Sequence, residues 1–217
     1  MGVSGSPFVG GNTDRLVKAT LEKSGREAVF VNLSKLRFGP CRGCAHLCAT
    51  TNMCSIKDGL HPYLNLMLES EAIVLGTPYQ LGTATGFMYN FLTRLWCFQH
   101  VKRLLADKPV LLISVGIKPK EIQNGIASFE SMVTHSDQFK VLGHIYFNSQ
   151  TPPCLKCGAG SYCHVGGLWK YVLGKDENKL KQFEFTPDKF KKWEDYPQIV
   201  EEVERYGKIL AELNIKI

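Results

Sequence analysis

Eight cysteines are distributed unevenly along this chain of 217 residues, and seven of them lie in two short groups. The first group has the pattern Cys-x2-Cys-x3-Cys-x5-Cys and the second has Cys-x2-Cys-x5-Cys, while Cys97 stands apart. Four thiolates within one loop are what a [4Fe–4S] cluster or a tetrahedral zinc site requires. The first group consists of Cys41, Cys44, Cys48 and Cys54, and the second of Cys154, Cys157 and Cys163.

The first group is interpreted as a [4Fe–4S] site, with a zinc site and free or redox-switching thiols as the alternatives. The second group supplies three thiols and needs a fourth ligand. The candidates are His164, Cys97, a residue of another subunit and an external ligand, although simultaneous ligation by adjacent Cys163 and His164 is geometrically awkward. Cys97 lies in an apolar stretch where a buried free thiol is the expected role. We predict a second metal centre here, iron–sulfur before zinc, with a disulfide or unliganded thiols as the alternative.

The hydrophobic pattern and the net charge indicate the cellular compartment and the kinds of partner. The first fifteen residues contain no apolar run of signal-peptide length, and no stretch approaches the ~20 apolar residues of a membrane span. We therefore expect a cytoplasmic protein without a membrane partner, in which the thiols serve metal or redox chemistry. The net charge of +6 comes mostly from scattered lysines without a nucleic-acid motif, so no nucleic-acid partner is expected. These lysines form either a solvated basic face or a docking surface for an acidic electron carrier.

Short runs rich in Val, Ile and Leu alternate with longer amphipathic segments, a pattern typical of βα units around a parallel sheet. It predicts one α/β domain over 1–217, a three-layer sandwich with a five-stranded parallel sheet. The predicted strands are 1–3, 28–33, 72–76, 110–115 and 141–147, and the predicted helices cover about 12–23, 59–69, 86–105, 119–134 and 196–213. Cysteine-rich loops interrupt the alternation at 37–57 and 148–167. The first strand is either short or preceded by residues before Met1.

The segment from Val3 to Thr13 leaves the first predicted strand and enters the first predicted helix. Its hydroxyls and free backbone N–H groups suit a phosphate, because the first amides of a helix are unpaired and the helix dipole favours an anion. The segment is neither a Walker A loop nor a Gly-x-Gly-x-x-Gly fingerprint. A Gly/Ser turn with Asn12 as the helix N-cap is the alternative interpretation.

The segment 76–86 follows the third predicted strand, beside the first strand in a flavodoxin-type order. Ligands of doubly wound sheets bind in the crevice at this position. Tyr79 and Leu81 are suited to cover a planar ring, and the backbone amides of 80–83 are suited to bind its polar edge. The two loops together therefore predict a site for a flat molecule that carries a phosphate.

These stretches resemble the NAD(P)H-dependent FMN reductase family and, within it, the iron–sulfur flavoproteins, over about half of the chain. The matching motifs are Ser-Gly-Ser-Pro and Gly-Gly-Asn-Thr within 4–13, Gly-Thr-Pro-Tyr at 76–79, and Gly86…Asn90-Phe91…Arg94. The first cysteine group and the stretch Ile56-Lys57-Asp58 are similar too, except that three residues, 45–47, replace a two-residue spacer.

The resemblance implies a flavodoxin-like fold, bound FMN and a homodimer or homotetramer. It implies that the FMN phosphate is bound by Ser4, Ser6, Pro7, Asn12 and Thr13. The residues implied to line the ribityl chain and the isoalloxazine are Thr77, Pro78, Tyr79, Gln80, Leu81, Gly82 and Thr83, and a third loop is implied near Gly116. Two features depart from the family pattern: Phe8 stands where a basic residue is common, and 117–119 lack the usual Gly-rich sequence.

From these observations we predict that FMN and the first cluster form an electron-transfer pair. Such a pair couples a one-electron carrier such as ferredoxin to a two-electron acceptor. The enzyme alternative is an NAD(P)H-dependent flavin, quinone or nitro reductase whose cysteines hold zinc, and the non-enzyme alternative is a redox or metal sensor. No acid–base catalytic residue is predicted. Tyr89, Trp96 and Phe98 are expected in the core or at a subunit interface.

Overall fold

The structure is a computed structural model that describes residues 1–116, 119–135, 139–149, 154 and 157–213. The strands are β1 (Gly2–Ser4), β2 (Phe30–Asn32), β3 (Ile73–Gln80), β4 (Thr83–Ala84), β5 (Lys108–Gly116) and β6 (Phe139–Asn148). The helices are α1 (Asn12–Lys23), α2 (Ala45–Cys48), α3 (His61–Glu69), α4 (Gly86–Arg94), α5 (Pro119–Thr134), α6 (Glu177–Gln182) and α7 (Pro197–Ala211).

Five parallel strands form the main sheet in the order β2-β1-β3-β5-β6, and β4 pairs antiparallel with the end of β3. This is the 2-1-3-4-5 order of flavodoxin-like folds. The predicted α/β class and five-stranded parallel sheet are therefore confirmed. Ser4 pairs with Gly76, and Gly76 pairs with Ile113, so the carboxyl ends of β1, β3 and β5 reach the same edge of the sheet.

Alternating strand residues supply two separate cores, one on each face of the sheet. Leu75 and Leu112 face a layer formed by α3, α4 and α5, whereas Val74, Leu111 and Ile113 face α1 and α7. Both faces are buried, as expected for parallel strands that read as continuous apolar runs. A third and smaller cluster, formed by residues between 154 and 185, lies outside these two layers.

The predicted boundaries of α1 and α5 are correct, but two other expectations are wrong. The predicted helix over 86–105 ends at Arg94 and continues only as a 3-10 turn, Leu95–Gln99. The chain then folds back, with the Leu104 N–H donating to the Phe98 carbonyl, which buries Leu105 ahead of β5. The third strand is longer than predicted, because Thr77 and Pro78 continue the pairing with β5 and its last residues, Tyr79 and Gln80, pair with β4.

The N-terminus of α1 also differs from the alternative that made Asn12 its cap. Gly11 is the N-cap, in extended backbone, and Asn12 is the first helical residue. The final helix begins at Pro197, a favoured first-turn residue because proline lacks an N–H group. Across the part of the chain that the structure describes, no helix has both the length and the apolar character needed to cross a membrane.

Candidate flavin and thiol site

The two predicted flavin loops meet at the carboxyl edge of the sheet. The Gly5 N–H donates to the Gly76 carbonyl at 2.8 Å, and the Thr85 hydroxyl donates to the Gly5 carbonyl at 2.7 Å. The Thr85 N–H also donates to Thr77 Oγ1 at 3.3 Å. Thr85 additionally caps α4, since its side chain accepts from the Met88 N–H. Thr85 was not among the predicted site residues, although Thr before a helical pattern is a recognisable N-cap signal.

A buried carboxylate organises the turn that follows β1. Asp14 is 1% exposed and accepts from the Ser4 hydroxyl at 2.5 Å and from the Gly10 N–H at 2.8 Å. Asn32 Nδ2 donates to both carboxylate oxygens, at 2.9 and 3.0 Å. Asp14 therefore ties the turn after β1, at Gly10, to the end of β1 and to the end of β2. The sequence signal for it was an acidic residue in the first turn of a helix.

The side chains predicted to bind phosphate are largely engaged within the chain. The Ser6 hydroxyl donates to the Phe8 carbonyl, and the Asn12 amide donates to Ser149 Oγ and the Lys191 carbonyl. Thr13 is buried. The donors that suit a phosphate here are the backbone N–H groups of the α1 N-terminus, which have no intrahelical partners.

A basic residue lies beside the same turn. Arg15 donates to the Gly10 carbonyl at 3.0 Å and to Asn12 Oδ1 at 2.6 Å, and it pairs with Glu194 at 2.7 Å. Its guanidinium is paired with Glu194 and bound to the turn, so it braces the turn from its side. The backbone N–H groups of the helix N-terminus are therefore the donors that fit the phosphate of FMN.

The loop after β3 is a tight hairpin rather than an irregular loop. Tyr79 pairs with Ala84 and Gln80 with Thr83, which leaves Leu81 and Gly82 as a two-residue turn. Both have positive φ, 52° and 77°, as a type I′ turn requires. Leu81 is fully exposed, and a non-glycine residue in this region costs about 1–2 kcal/mol. An exposed, strained apolar side chain at a ligand-binding edge indicates a functional role.

Replacing Leu81 with Asn is expected to stabilise the protein by about 1 kcal/mol, because Asn tolerates the left-handed region better than Leu does. If Leu81 covers the flavin, the same change weakens FMN binding several-fold. Chemical denaturation measures the first effect and quenching of FMN fluorescence measures the second. Val29→Asn, at an exposed position without positive φ, is the control for loss of a surface apolar side chain. Unchanged stability in L81N would contradict the strain argument.

A polar network crosses three neighbouring strands behind the hairpin. Ser114 Oγ lies 3.2 Å from the Tyr79 hydroxyl and 2.6 Å from His144 Nε2. Burial raises the pKa of Tyr79 to about 12 and lowers the pKa of His144 to about 4. All three groups are therefore uncharged near neutral pH, and the Tyr79 hydroxyl is held toward the sheet. His144 was not a predicted site residue, and Ser114 lies in β5 just before the third loop implied near Gly116.

The buried His144 makes the protein sensitive to acid. The pKa of His144 is lower in the folded chain than the ordinary 6.5, so keeping this side chain neutral favours the folded state. This contribution to the free energy of unfolding is fully present above pH 6.5 and is lost as the pH falls toward 4. Linkage predicts a loss of about 2 kcal/mol between pH 7 and pH 5. In His144→Gln, which keeps a hydrogen-bonding group, this part of the pH dependence disappears. Urea denaturation at both pH values tests this, and equal slopes for the two proteins would refute it.

The four thiols of the first cysteine group lie near one another, but not close enough together in the described residues to hold a metal ion as placed. Cys48 and Cys54 are buried, and Cys41 and Cys44 are partly exposed. Burial raises the pKa of Cys48, and the other three thiols of the group raise it further. Cys97 joins them as a fifth thiol, since it hydrogen-bonds to the Cys54 backbone and burial raises its pKa to about 12. The expectation that Cys97 is buried is confirmed.

Arg94, at the end of α4, holds the first cysteine loop in place. Its side chain is fully buried and binds both carboxylate oxygens of Asp58, at 2.6 and 3.3 Å. It also donates to Cys54 Sγ at 3.2 Å and to the Gly39 and Ile56 carbonyls. Arg94 belonged to the quoted family motif, but its contact with a predicted ligand was not foreseen.

His100 lies on the outer side of the same loop. Its Nε2 is 3.2 Å from Cys48 Sγ, and its ring packs against Trp96 at 5.2 Å between centroids. Of the three aromatic residues expected in the core or at a subunit interface, Phe98 is fully buried, Tyr89 is partly buried against the core, and Trp96 is 48% exposed. The exposed apolar side chains in the stretches of chain that carry Cys48 and His100, here called the Trp96 patch, are Leu47, Trp96, Val101 and Leu104.

The donor chemistry of this loop fits an iron–sulfur cluster, because four thiols and an N–H donor to sulfur are present together. Among the residues with described positions, no three His, Cys, Asp or Glu side chains lie close enough together to hold a metal ion. The assignment of Cys41, Cys44, Cys48 and Cys54 as ligands stays a prediction.

The second cysteine group lies in the segment with the third hydrophobic cluster. Hydrogen bonds from the Val165 and Gly166 N–H groups lower the pKa of Cys163. His164, one candidate for the fourth ligand, instead binds Glu177 at 2.7 Å and packs against Trp169. Cys97, the other candidate, lies at the first group. Parts of two predicted loops, residues 117–118, 150–153 and 155–156, are outside the described residues.

One cavity lies away from this site. It has a volume of about 350 Å³ and opens between Met1, Arg26, Leu66, Glu71 and Leu213, at the amino ends of the strands. Ligands of open parallel sheets bind at the carboxyl ends instead. We therefore place the functional site at the edge where Ser4, Gly76 and Gly116 lie.

The strand order, the helix N-terminus after β1 and the hairpin after β3 define a flavodoxin-like α/β protein built to bind a flavin nucleotide. The chain belongs to the NADPH-dependent FMN reductase family, which it matches over residues 1–151. The family resemblance predicted from the motifs is thereby confirmed.

Relatives with similar sequences are named iron–sulfur flavoproteins. The chain is 36% identical to one from Methanocaldococcus jannaschii over 43% of its own length and 50% of the relative's. It is 30% identical to one from Archaeoglobus fulgidus over 56% of its own length and 57% of the relative's. The matches thus span little more than half the length of these curated relatives.

Solved structures share the fold at low sequence identity. A flavone reductase superposes with a TM-score of 0.55 at 18% identity, covering 97% of this chain and 61% of that one. An NAD(P)H:quinone oxidoreductase from Methanothermobacter marburgensis gives 0.53 at 10% identity, covering 100% of this chain and 97% of that one. These similarities support the flavodoxin-like fold.

Proposed function

We propose that this protein is an FMN-dependent oxidoreductase that also holds a [4Fe–4S] cluster on its first cysteine group and transfers electrons between the two. The observation that carries the proposal is the position of α4. Thr85 at its N-terminus binds the predicted phosphate turn through Gly5, and Arg94 at its C-terminus binds Cys54. One nine-residue helix therefore joins the flavin loops to the thiol loop.

The chain's own residues would place and tune the two centres. Bound FMN exchanges one or two electrons and a cluster exchanges one, so the pair couples one-electron to two-electron chemistry. Gly5, Thr77 and Thr85 hold the flavin loops in register. Arg94 places a positive charge and an N–H donor at Cys54 sulfur, and such hydrogen bonds tune cluster potentials.

We further propose that the protein works as a homodimer or homotetramer. Nine helical residues span about 13 Å, so within one chain the thiol loop and the flavin loops are held apart by α4. The exposed Trp96 patch lies beside the thiol loop, and Leu81 is exposed beside the flavin loops. A second copy that covers both surfaces would bring the thiols of one subunit to the flavin of the other.

A ferredoxin-like electron carrier is the proposed one-electron partner, and the cytoplasm the proposed location. The net charge of +6 supports docking of an acidic carrier. The eight free thiols fit a reducing compartment.

The test is the content of iron, acid-labile sulfide, zinc and FMN in anaerobically purified protein. The proposal predicts FMN near one per chain and at least about four irons. The variant Cys41→Ser/Cys44→Ser should lose about four irons and keep its FMN. The control Cys97→Ser should keep both, because Cys97 is not a proposed ligand.

Several results would refute the proposal. Flavin bands with zinc and without iron would favour an NAD(P)H-dependent reductase with a zinc site. Loaded protein that turns over neither reduced ferredoxin nor NAD(P)H would favour the redox or metal sensor. A monomer by sedimentation would refute the subunit arrangement.

A further inference from the structure

We propose that Cys154, Cys157 and Cys163 bind a second iron–sulfur cluster, with one further ligand from outside them. As placed among the described residues, these three thiols do not lie close enough together to hold a metal ion, so binding requires Cys157 to join the other two. This region lies beyond the family match, which ends at residue 151. The inference is therefore independent of the FMN site.

Two of the thiols converge on one glycine. A Cβ atom added at Gly166 would lie 3.2 Å from Cys163 Sγ and 3.3 Å from Cys154 Sγ. The sulfurs of residues nine positions apart thus approach the same point, and a side chain at position 166 would crowd both of them. Close backbone approach is what a loop wrapped around a metal centre needs.

The backbone turns closely around Cys163, since the Gly166 N–H donates to Cys163 Sγ at 3.1 Å. Backbone N–H donors to sulfur are also found around thiolate ligands of iron–sulfur clusters. The third thiol belongs to the same turn, since Cys157 Sγ lies 3.6 Å from the Cys154 carbonyl oxygen and donates to it.

The segment that carries these thiols needs a cross-link. Its cluster contains four buried side chains, with Cys154, Phe183 and Phe185 packed against them; the four are Leu168, Trp169, Leu173 and Leu180. A core of this size does not stabilise a segment of about thirty residues without a disulfide, a metal or a partner. Cys154 lies against that core, so a metal bound there would fix the start of the segment to its interior.

A disulfide would satisfy the need for a cross-link but would leave the third thiol unused. Metal ligation uses all three, with each thiol losing its proton as it binds. Three protein thiolates leave one position for a water, a small thiol or a residue of another subunit. Closed structural zinc sites use four protein ligands, and this favours a cluster here.

The test is metal content measured group by group in anaerobically purified protein. Two [4Fe–4S] clusters predict about eight irons and eight sulfides per chain. The triple variant Cys154→Ser/Cys157→Ser/Cys163→Ser should lose about half of both, and the Cys41→Ser/Cys44→Ser variant should lose the other half. Gly166→Val keeps every thiol but should lose the same iron and sulfide as the triple variant, because the valine side chain occupies the space between the two sulfurs.

Each outcome decides the matter. One zinc per chain that disappears in the triple variant would overturn the cluster in favour of a zinc site. A Cys154–Cys163 disulfide found by mass spectrometry of alkylated protein would overturn the metal centre altogether, as would free thiols that alkylate fully in the loaded protein. Retained FMN in the triple variant shows that the rest of the chain has folded.

Discussion

Replacing Arg94 with methionine is expected to lower the free energy of unfolding by about 3–5 kcal/mol, the cost of removing one partner from a buried ion pair. Arg94 is fully buried, and its bidentate pair with Asp58 is supported by hydrogen bonds to Cys54 sulfur and two carbonyls. Methionine fills a similar volume but leaves these acceptors unpaired. Urea denaturation of the metal-free protein measures the loss.

A surface pair provides the matched control. Lys23 and Glu204 form an ion pair at 2.9 Å, with side chains 52% and 46% exposed. Exposed pairs contribute at most about 1 kcal/mol, so Lys23→Met should cost little. If R94M and K23M lower stability equally, the buried network does not hold the thiol loop.

The pair also predicts a pH dependence. Burial by itself raises the pKa of Asp58, but hydrogen bonds and the charge of Arg94 outweigh it and hold the pKa below the ordinary 3.8. The stabilisation is therefore fully present above about pH 4 and is lost as the pH falls through the lowered value. This acid-sensitive contribution should be absent from both R94M and Asp58→Asn. If both variants lose stability at acid pH as steeply as the wild type does, the loss does not come from the Asp58–Arg94 pair.

Replacing Gly125 with alanine is expected to cost about 2–3 kcal/mol and to weaken FMN binding at least tenfold. An added Cβ would lie 2.0 Å from the Gly82 carbonyl oxygen and 2.9 Å from Tyr79 Cε1, so the flavin hairpin must move away from α5. Alanine favours a helix by about 1 kcal/mol over glycine, but overpacking against backbone outweighs this gain. Denaturation and FMN titration measure the two effects.

Gly86 provides the control for this substitution, because it is helical and an added Cβ there meets nothing within 4 Å. Gly86→Ala should leave stability unchanged or slightly raised. If Gly125→Ala behaves the same way, the hairpin does not depend on close approach of α5. Loss of FMN binding without loss of stability would show that the hairpin shifts at little cost.

Much of the fold was predictable because it depends on local patterns. The bounds of α1 and α5 follow from helical periodicity, and the continuous apolar run in β5 follows from burial on both faces of the sheet. The helix predicted to reach residue 105 was wrong, because Leu95, Trp96, Cys97 and Phe98 remain apolar after the helix has ended. Apolar character alone does not distinguish a helix from a folded-back 3-10 turn.

The sequence by itself determined the chemistry available to this protein: the two cysteine groups, the Gly/Ser turn before a helix, and the family motifs. These are local in sequence, and their meaning depends on residue type and spacing. Only the tertiary structure decided which distant groups support them. Arg94 is forty residues from Cys54, Thr85 is eighty residues from Gly5, and Gly166 stands between two sulfurs. Such contacts arise where strands and helices pack, so no local pattern announces them.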